Sequence, residues 1–264
     1  MSSKTVAIHG AGGRMGQRLV ALAGDAGLRV VGACEHDGHP ALGRDAGELA
    51  GIASLAVPLS ASLTSSVDVV IDFSLPDGTR RVIAHCEAAQ TPLVIGTTGL
   101  TDDDQRLIDA AAEQIAVCQA TNFSLVVNVL WKLAAEAAQL LGEGYDIEVL
   151  EAHHRYKKDA PSGTARTLAQ RLCDATGRDF DADVVYARHG DDAPRQAKDI
   201  TVQTLRLGDH AGEHTAFFAT PGERLEIKHV STSRDSYAVG ALRAAAWLVD
   251  QPAGRYDMAD VLGL

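Results

Sequence analysis

Hydrophobic and polar positions along this chain change their period about halfway. In the first half, short apolar, β-branched runs at residues 5–9, 28–34, 67–73, 93–95 and 115–118 are bounded by Gly, Pro, Asp or Thr, which predicts strands. Between them the period is helical: Met15, Leu19, Leu22, Ala23 and Ala26 stand at i, i+4, i+7, i+8 and i+11 and share one face. Thr101 ahead of Asp102, Asp103 and Asp104 reads as an N-cap followed by acids that suit the positive end of a helix dipole. This acidic run is therefore assigned to capping, not to metal binding. Strands alternating with helices predict βαβ units and a parallel sheet covered on both faces.

From about residue 125 the pattern differs. It predicts a helix over 125–141, a strand over 146–151, a loop over 152–162 and a helix over 163–176. Strand-like segments follow in succession at 184–187, 200–207, 215–219 and 225–229. Gly-Asp, Gly-Glu and Pro-Gly turn signals separate them, so an open, mixed or antiparallel sheet is expected. Ala238, Ala241, Leu242, Ala245, Leu248 and Val249 mark a final amphipathic helix. No repeat or low-complexity segment is evident. The expected class is α/β, with one α/β lobe and one α+β lobe.

Composition narrows the options. A chain of 264 residues makes one or two domains, and 46% apolar with 22% charged residues is the balance of a soluble globular protein. Lys and Arg number 24 against 35 Asp and Glu, a net charge of −11, which argues against a general nucleic-acid binder while leaving room for a local basic pocket. The most apolar stretch, residues 123–141, is interrupted by Asn128, Lys132 and Glu136, short of the ~18 apolar residues a membrane span needs. The opening Met1-Ser2-Ser3-Lys4 carries no secretory signal pattern. Cys34, Cys86, Cys118 and Cys173 lie 52, 32 and 55 residues apart, which forms no CxxC pair and no disulfide framework. Buried, reduced thiols and a cytoplasmic location are expected.

Two segments carry candidate chemistry. The first is Gly10-Ala11-Gly12-Gly13-Arg14-Met15-Gly16, between the first strand and the first helix. Such a turn lets backbone approach a pyrophosphate at a helix N-terminus. The match to GxGxxG is not strict, because Met15 takes the third glycine's place and the spacing runs Gly10, Gly13, Gly16. A glycine cluster formed for steric reasons alone would not need its position here. Glu35 ends the next strand 25 residues past Gly10, where its carboxylate can bind adenosine ribose hydroxyls. Dinucleotide binding is the expected function of this segment.

The second segment is Glu151-Ala152-His153-His154-Arg155-Tyr156-Lys157-Lys158-Asp159-Ala160-Pro161-Ser162-Gly163-Thr164. It gathers two histidines, an arginine and two lysines within six residues of an acidic protein. Ser162-Gly163-Thr164 then opens a helix whose first N–H groups suit a carboxylate. Together they fit a small polyanionic substrate, with His and Lys at hand for proton transfer. The competing reading is a solvated basic loop before an ordinary serine cap. Neither adjacent His153 and His154 nor the pair Glu213-His214 has the spacing of a metal site, and no metal is expected. There is no GxSxG elbow and no GxxxxGK[ST] phosphate loop.

These two segments, together with Gly96-Thr97-Thr98-Gly99 and the ending Asp257-Met258-Ala259-Asp260-Val261-Leu262, resemble the 4-hydroxy-tetrahydrodipicolinate reductase (dihydrodipicolinate reductase) family over nearly the whole chain. The chain departs from that pattern at Gln196-Ala197-Lys198-Asp199, where the family usually has a glycine-containing stretch. The resemblance implies a Rossmann-type dinucleotide-binding domain over 1–124, rejoined by 235–264, and a substrate-binding and tetramerisation domain with an open mixed sheet over 125–234. It implies NAD(P)H-dependent reduction of a cyclic dicarboxylate with loss of water, in lysine biosynthesis by the diaminopimelate route, by a homotetramer.

Carried over residue by residue, the resemblance makes His153 a proton donor or acceptor and Lys157 a proton donor. His154, Gly163 and Thr164 then bind substrate carboxylates. The cofactor is lined by Gly10, Ala11, Gly12, Gly13, Arg14, Met15, Glu35, Gly96, Thr97, Thr98, Ala120, Thr121, Asn122 and Phe123. Some relatives carry an arginine after the ribose-binding acid to hold the 2′-phosphate of NADPH; this chain has His36. Only a small fraction of an unperturbed histidine, with a pKa of about 6.5, is cationic at pH 7.5, so dual use is expected with NADH at least as good as NADPH. Arg14 keeps NADPH usable, and acid favours it. A sugar or semialdehyde dehydrogenase is the nearest alternative, and the His153-His154 doublet with Lys157 speaks against it. A nicotinamide-sensing regulator would need no basic loop.

Overall fold

The computed structural model describes residues 3–63 and 66–264; Met1 and Ser2, which open the N-terminal reading above, lie outside them. Two compact units emerge, Met1–Leu125 with Arg234–Leu264, and Val126–Ser233.

The first unit is a seven-stranded sheet, and every pairing in it is parallel. Its strands are β1 (Lys4–His9), β2 (Leu28–Cys34), β3 (Leu59–Ser60), β4 (Val69–Asp72), β5 (Leu93–Ile95), β6 (Ala116–Gln119) and, from the chain's end, β12 (Gly254–Tyr256). They lie in the order β12-β6-β5-β4-β1-β2-β3, and the first crossovers run through α1 (Arg14–Leu22) and α2 (Ala46–Leu49). α3 (Pro76–Ala89) and α4 (Asp102–Ala112) connect β4, β5 and β6. The inner strands are buried on both faces: Val69, Val70 and Ile71 are all 0% exposed, as a helix-covered parallel sheet requires. This is the Rossmann-type α/β class.

Sequence periodicity finds the inner strands and misses the rim. β3 has only two residues, and β12, Gly254-Arg255-Tyr256, carries no apolar run. α1 also stops earlier than its apolar spacing predicts. Gly24 and Gly27 turn the chain, and Ala26 is exposed. Thr101 caps α4, as its sequence position predicts: its hydroxyl accepts from Asp104 N while the Asp104 carboxylate accepts from Thr101 N, a reciprocal cap.

The second unit contains α5 (Leu125–Leu141), β7 (Asp146–His153), α6 (Gly163–Thr176), α7 (Phe180–Asp183), β8 (Val184–Tyr186), β9 (Ile200–Arg206), β10 (Gly212–Thr220) and β11 (Glu223–Ser231). The sheet order is β11-β10-β7-β9-β8, antiparallel across β11, β10 and β7 and parallel across β7, β9 and β8. It is a mixed sheet, as the turn signals predict. The helical stretch Leu125–Gly144, α5 with the short turn after it, is long and apolar enough to cross a bilayer by length and composition, yet Val127, Leu130, Trp131, Ala134 and Ala138 bury into the core of this unit. Ile147, Val149, Ile200, Val202, Ala216 and Phe218 supply the sheet's side of that core, against Leu168 and Leu172 of α6.

β7 corrects the expected loop. It runs two residues beyond 151, because Ala152 pairs with Glu213 and His153 with Arg206. His153 therefore stands on a strand, not on a loop. β10 and β11 likewise start before the apolar runs that mark them, since cross-strand pairing carries Glu213 and His214 into the ladder. α8 (Asp235–Leu248) and α9 (Met258–Leu262) return to the first unit.

Candidate functional site

In the first unit a cleft of about 650 Å³ opens past the carboxyl ends of β1, β2, β4 and β5, the ordinary place for a ligand on an open parallel sheet. Gly10, Gly13, Arg14 and Met15 line it from the turn after β1, Glu35 and His36 from beyond β2, and Gly96, Thr97 and Thr98 from beyond β5. Ala11 and Gly12 form the turn itself. A Cβ on Gly16 would stand 2.1 Å from Gly10 O and 2.5 Å from Ala11 Cα, so α1 reaches its own turn only with glycine there. The N-cap, Gly13, has no side chain to occupy the first N–H groups of α1, which suits a pyrophosphate. The Glu35 carboxylate accepts from Gly12 N at 3.2 Å and from His36 N at 3.1 Å, which fixes it beside the turn.

Beneath this cleft lies a buried polar cluster that sequence reading passed over. Asp72, 0% exposed at the end of β4, accepts from the hydroxyls of Ser74 (2.6 Å), Thr79 (2.6 Å) and Thr97 (2.8 Å), and pairs with His9 Nδ1 at 2.7 Å. Burial alone would raise this carboxyl; the hydrogen bond and charge of His9 and the hydroxyl donors outweigh it and lower it. Thr97 Oγ1 in turn accepts from Ser74 N at 3.1 Å. His9, Phe73, Ser74 and Arg81 also line the cleft, and only the position of Arg81 in the first turns of α3 offered a sequence signal. Ala120, Thr121, Asn122 and Phe123 follow β6 and do not line the cleft; Phe123 sets its ring 5.7 Å from that of Phe73.

In the second unit, strand alternation puts Glu151, His153, Arg206, His214 and His229 on the same sheet face as the apolar core, beyond its last apolar row. Glu151, 0% exposed, accepts from Arg206 through both oxygens at 3.0 Å and from Ser162 N at 3.1 Å, and its Oε2 is hydrogen-bonded with His153 Nδ1. Burial opposes ionisation of Glu151, yet the His153 and Arg206 hydrogen bonds hold its carboxyl at about 2. The His214 ring stands edge-on to His153 at 5.2 Å, and its Nε2 lies 3.2 Å from Ser162 Oγ. Burial, followed by the charges of His153 and His229, pushes His214 down to about 3, so it is neutral at ordinary pH. Glu213 and His214 stand on β10, the strand position expected of that pair.

The basic segment leads from β7 into α6. Lys157 Nζ pairs with Asp159 at 2.9 Å, and the His154 and Tyr156 rings lie 6.4 Å apart. Ser162 caps α6 by accepting from Ala165 N at 3.1 Å. Gly163 and Thr164 occupy the helix's first turn, where the dipole favours a carboxylate. No group of three metal-ligating side chains occurs among the described residues. All four cysteines are free and buried.

Comparisons with known proteins agree with both halves. Residues 4–123 match the family model described as dihydrodipicolinate reductase, N-terminus, and residues 126–262 match its C-terminus. The chain is 47% identical to the 4-hydroxy-tetrahydrodipicolinate reductase of Halorhodospira halophila, with 98% of each covered, and 48% identical to that of Anaeromyxobacter dehalogenans, with 98% and 97% covered. A solved dipicolinate-bound dihydrodipicolinate reductase from Paenisporosarcina superposes with a TM-score of 0.75 at 25% identity, covering 97% of this chain and 98% of that one. An amine dehydrogenase from Mycobacterium smegmatis shares the fold alone, with a TM-score of 0.64 at 12% identity and 96% and 94% covered.

Proposed function

The chain belongs to the dihydrodipicolinate reductase family, and on that premise we propose how its residues divide the work. The activity is reduction of 4-hydroxy-tetrahydrodipicolinate to tetrahydrodipicolinate with loss of water, in lysine biosynthesis. The cofactor, NADH or NADPH, supplies the hydride when bound. Gly10, Gly13, Arg14 and Met15 receive its phosphates, Glu35 its adenosine ribose, and Gly96, Thr97 and Thr98 continue the same wall.

The dicarboxylate substrate is held in the second unit by His154, Gly163 and Thr164, the last two through the N-terminal end of α6. Hydride addition builds negative charge on the substrate. His153 exchanges the compensating proton, and Lys157 supplies a second acid and a stabilising cation. The observation that carries this reading is a histidine at the end of a strand, tied to a buried carboxylate, next to a basic segment that enters a helix N-terminus. The dipicolinate carried by the Paenisporosarcina relative is a small dicarboxylate of the kind this arrangement suits.

Leu205 and Val230 stand about half exposed, at 46% and 50%, on the face opposite that core, and this face joins copies into a homotetramer. The acidic net charge and four buried free thiols suit a cytoplasmic enzyme that binds no nucleic acid and no membrane. Oxidation of NADH with freshly generated 4-hydroxy-tetrahydrodipicolinate tests the assignment, and light scattering tests the assembly. His153→Ala and Lys157→Ala each lower kcat by ~10²-fold or more while NADH binding is unchanged. Wild-type kcat in both variants overturns the roles.

A further inference from the structure

The Glu151 carboxylate has four donors and no room for a fifth role. Its Oε1 takes Ser162 N and Arg206 Nη2; its Oε2 takes Arg206 Nη1 and His153 Nδ1. An ionised carboxylate only accepts. The proton between Glu151 and His153 therefore belongs to the histidine, and Nδ1 carries it. Arg206 is itself held, by the carbonyls of Asp159 at 2.5 Å and Leu205 at 2.7 Å.

We propose that Glu151 and Arg206 are positioning residues for the reaction: Arg206 clamps Glu151, and Glu151 accepts the Nδ1–H of His153, which leaves Nε2 as the ring nitrogen that exchanges a proton with substrate. The inference rests on the reading above, that His153 is the proton-exchanging residue. In the reductive direction the Nε2–H bond of the imidazolium breaks, its electron pair stays on nitrogen, and the proton forms a C–H bond on the reduced ring. A neutral imidazole with its hydrogen on Nδ1 remains, and water returns it to the charged form.

The surroundings favour this arrangement. Glu151 on β7 is the charge facing His153 on its own strand, and Arg206 on β9 is spent on Glu151. His214 on β10 is neutral, so it adds no positive charge against an imidazolium, and His229 on β11 stacks behind it at 5.8 Å. In the segment before α6, Asp159 takes the Lys157 ammonium at 2.9 Å. The His153 and Arg206 backbones are paired in register, so the sheet sets the clamp's two strands side by side, and the Asp159 carbonyl and Ser162 N add to it from the segment before α6. A second ring nitrogen fixed by a carboxylate is a common way to orient a histidine.

Two measurements decide it. Long-range proton–nitrogen correlation spectra of histidine-labelled enzyme, with the His153 signals assigned by their loss in His153→Asn, show Nδ1 protonated and Nε2 bare in the neutral ring. A neutral ring protonated on Nε2 overturns the inference. In kinetics, Glu151→Gln lowers kcat by ~10²-fold with the NADH KM within twofold, and the same substitution in His153→Asn lowers it less than threefold. Equal losses in both backgrounds mean that Glu151 does not act through His153. Arg206→Lys, which keeps the charge but not the fork, loses kcat by a smaller factor than Glu151→Gln and covers the case in which the glutamine variant fails to fold. Wild-type kcat in His153→Asn overturns the role of His153 itself, whatever the spectra show.

Discussion

The backbone carbonyl of Phe123 sits against Gly240 of α8 so closely that a Cβ on Gly240 would lie 1.7 Å from it. Both residues are in the first unit, and α8 enters that unit from the far end of the chain. Ala238, Ala241, Leu242 and Ala245 bury around the contact, so the helix has nowhere to withdraw. Phe123 also packs its ring on Phe73, which lines the cleft of the first unit. Gly240→Ala therefore overpacks a backbone contact, at a cost of ~1–3 kcal/mol. A thermal melt should show the midpoint lowered by several degrees, and titration should show weaker NADH binding. A variant that melts with the wild type would show that the helix can shift.

The Asp72 cluster predicts a loss of cofactor affinity without loss of any direct ligand. Asp72→Asn exchanges an acceptor of four donors for a group that must itself donate, against Ser74, Thr79, Thr97 and His9. Ser74, Thr97 and His9 line the cleft and lose their fixed orientation. The Kd for NADH should rise at least ~10-fold, about 1.4 kcal/mol, by calorimetric titration. An unchanged Kd would separate the cluster from the cofactor.

Acid should destabilise the second unit in two stages. Folded His214, buried and beside His153 and His229, titrates at about 3 against 6.5 for an ordinary histidine. The unfolded chain binds that proton first, so stability falls as pH drops from 6.5 towards 3, by up to ~1.4 kcal/mol per unit. Burial works against the charge on Glu151, but His153 and Arg206 hold it at about 2 against 4.5. Its contribution is complete above pH 4.5 and is lost as pH falls through 2. Urea midpoints at pH 7, 5.5 and 4 should fall steadily in the wild type and less steeply in His214→Phe. Parallel curves for the two proteins would remove His214 from the account.

Much of this was legible in the chain, and the omissions have a physical pattern. Gly10, Gly13 and Glu35 stand out in the sequence because a strand, a tight turn and a helix N-terminus each leave local marks. The change of pattern near residue 125 is visible because the strand–helix alternation ends there. Arg206 left no mark: it is 55 residues from Glu151, and only the β7–β9 register joins them. Asp72, Thr79 and Thr97 meet through side chains from three segments. His153 reads as loop in the sequence because its strand is extended by pairing and not by its own apolar pattern. Local periodicity reports which faces are buried; it does not report which buried polar groups find one another.

The cysteines give a prediction that needs no substitution. Burial pushes the Cys34 and Cys173 thiols up to about 11 and those of Cys86 and Cys118 up to about 12. The thiolate is the reactive form, so the native enzyme should show no fast-reacting thiol towards a disulfide reagent at pH 8. All four should react at once in denaturant. A single fast thiol in the native protein would contradict this.

Cofactor preference follows from what surrounds the end of β2. Gly12 N and His36 N hold the Glu35 carboxylate in place, ready to accept from adenosine ribose hydroxyls. A 2′-phosphate placed there would meet that negative charge, which should penalise NADPH. Two guanidinium groups, Arg14 and Arg81, line the same cleft and offset the penalty. The two effects would oppose each other within one pocket, so both cofactors should be used, with NADH at least as good. His36→Arg adds a third fork next to Glu35 and should raise kcat/KM for NADPH ~10-fold while that for NADH stays within twofold. Arg81→Ala should lower NADPH use more than NADH use. Steady-state kinetics with both cofactors at pH 8 check the set: a strong wild-type preference for NADPH, or no gain in His36→Arg, would mean that Glu35 does not govern the choice.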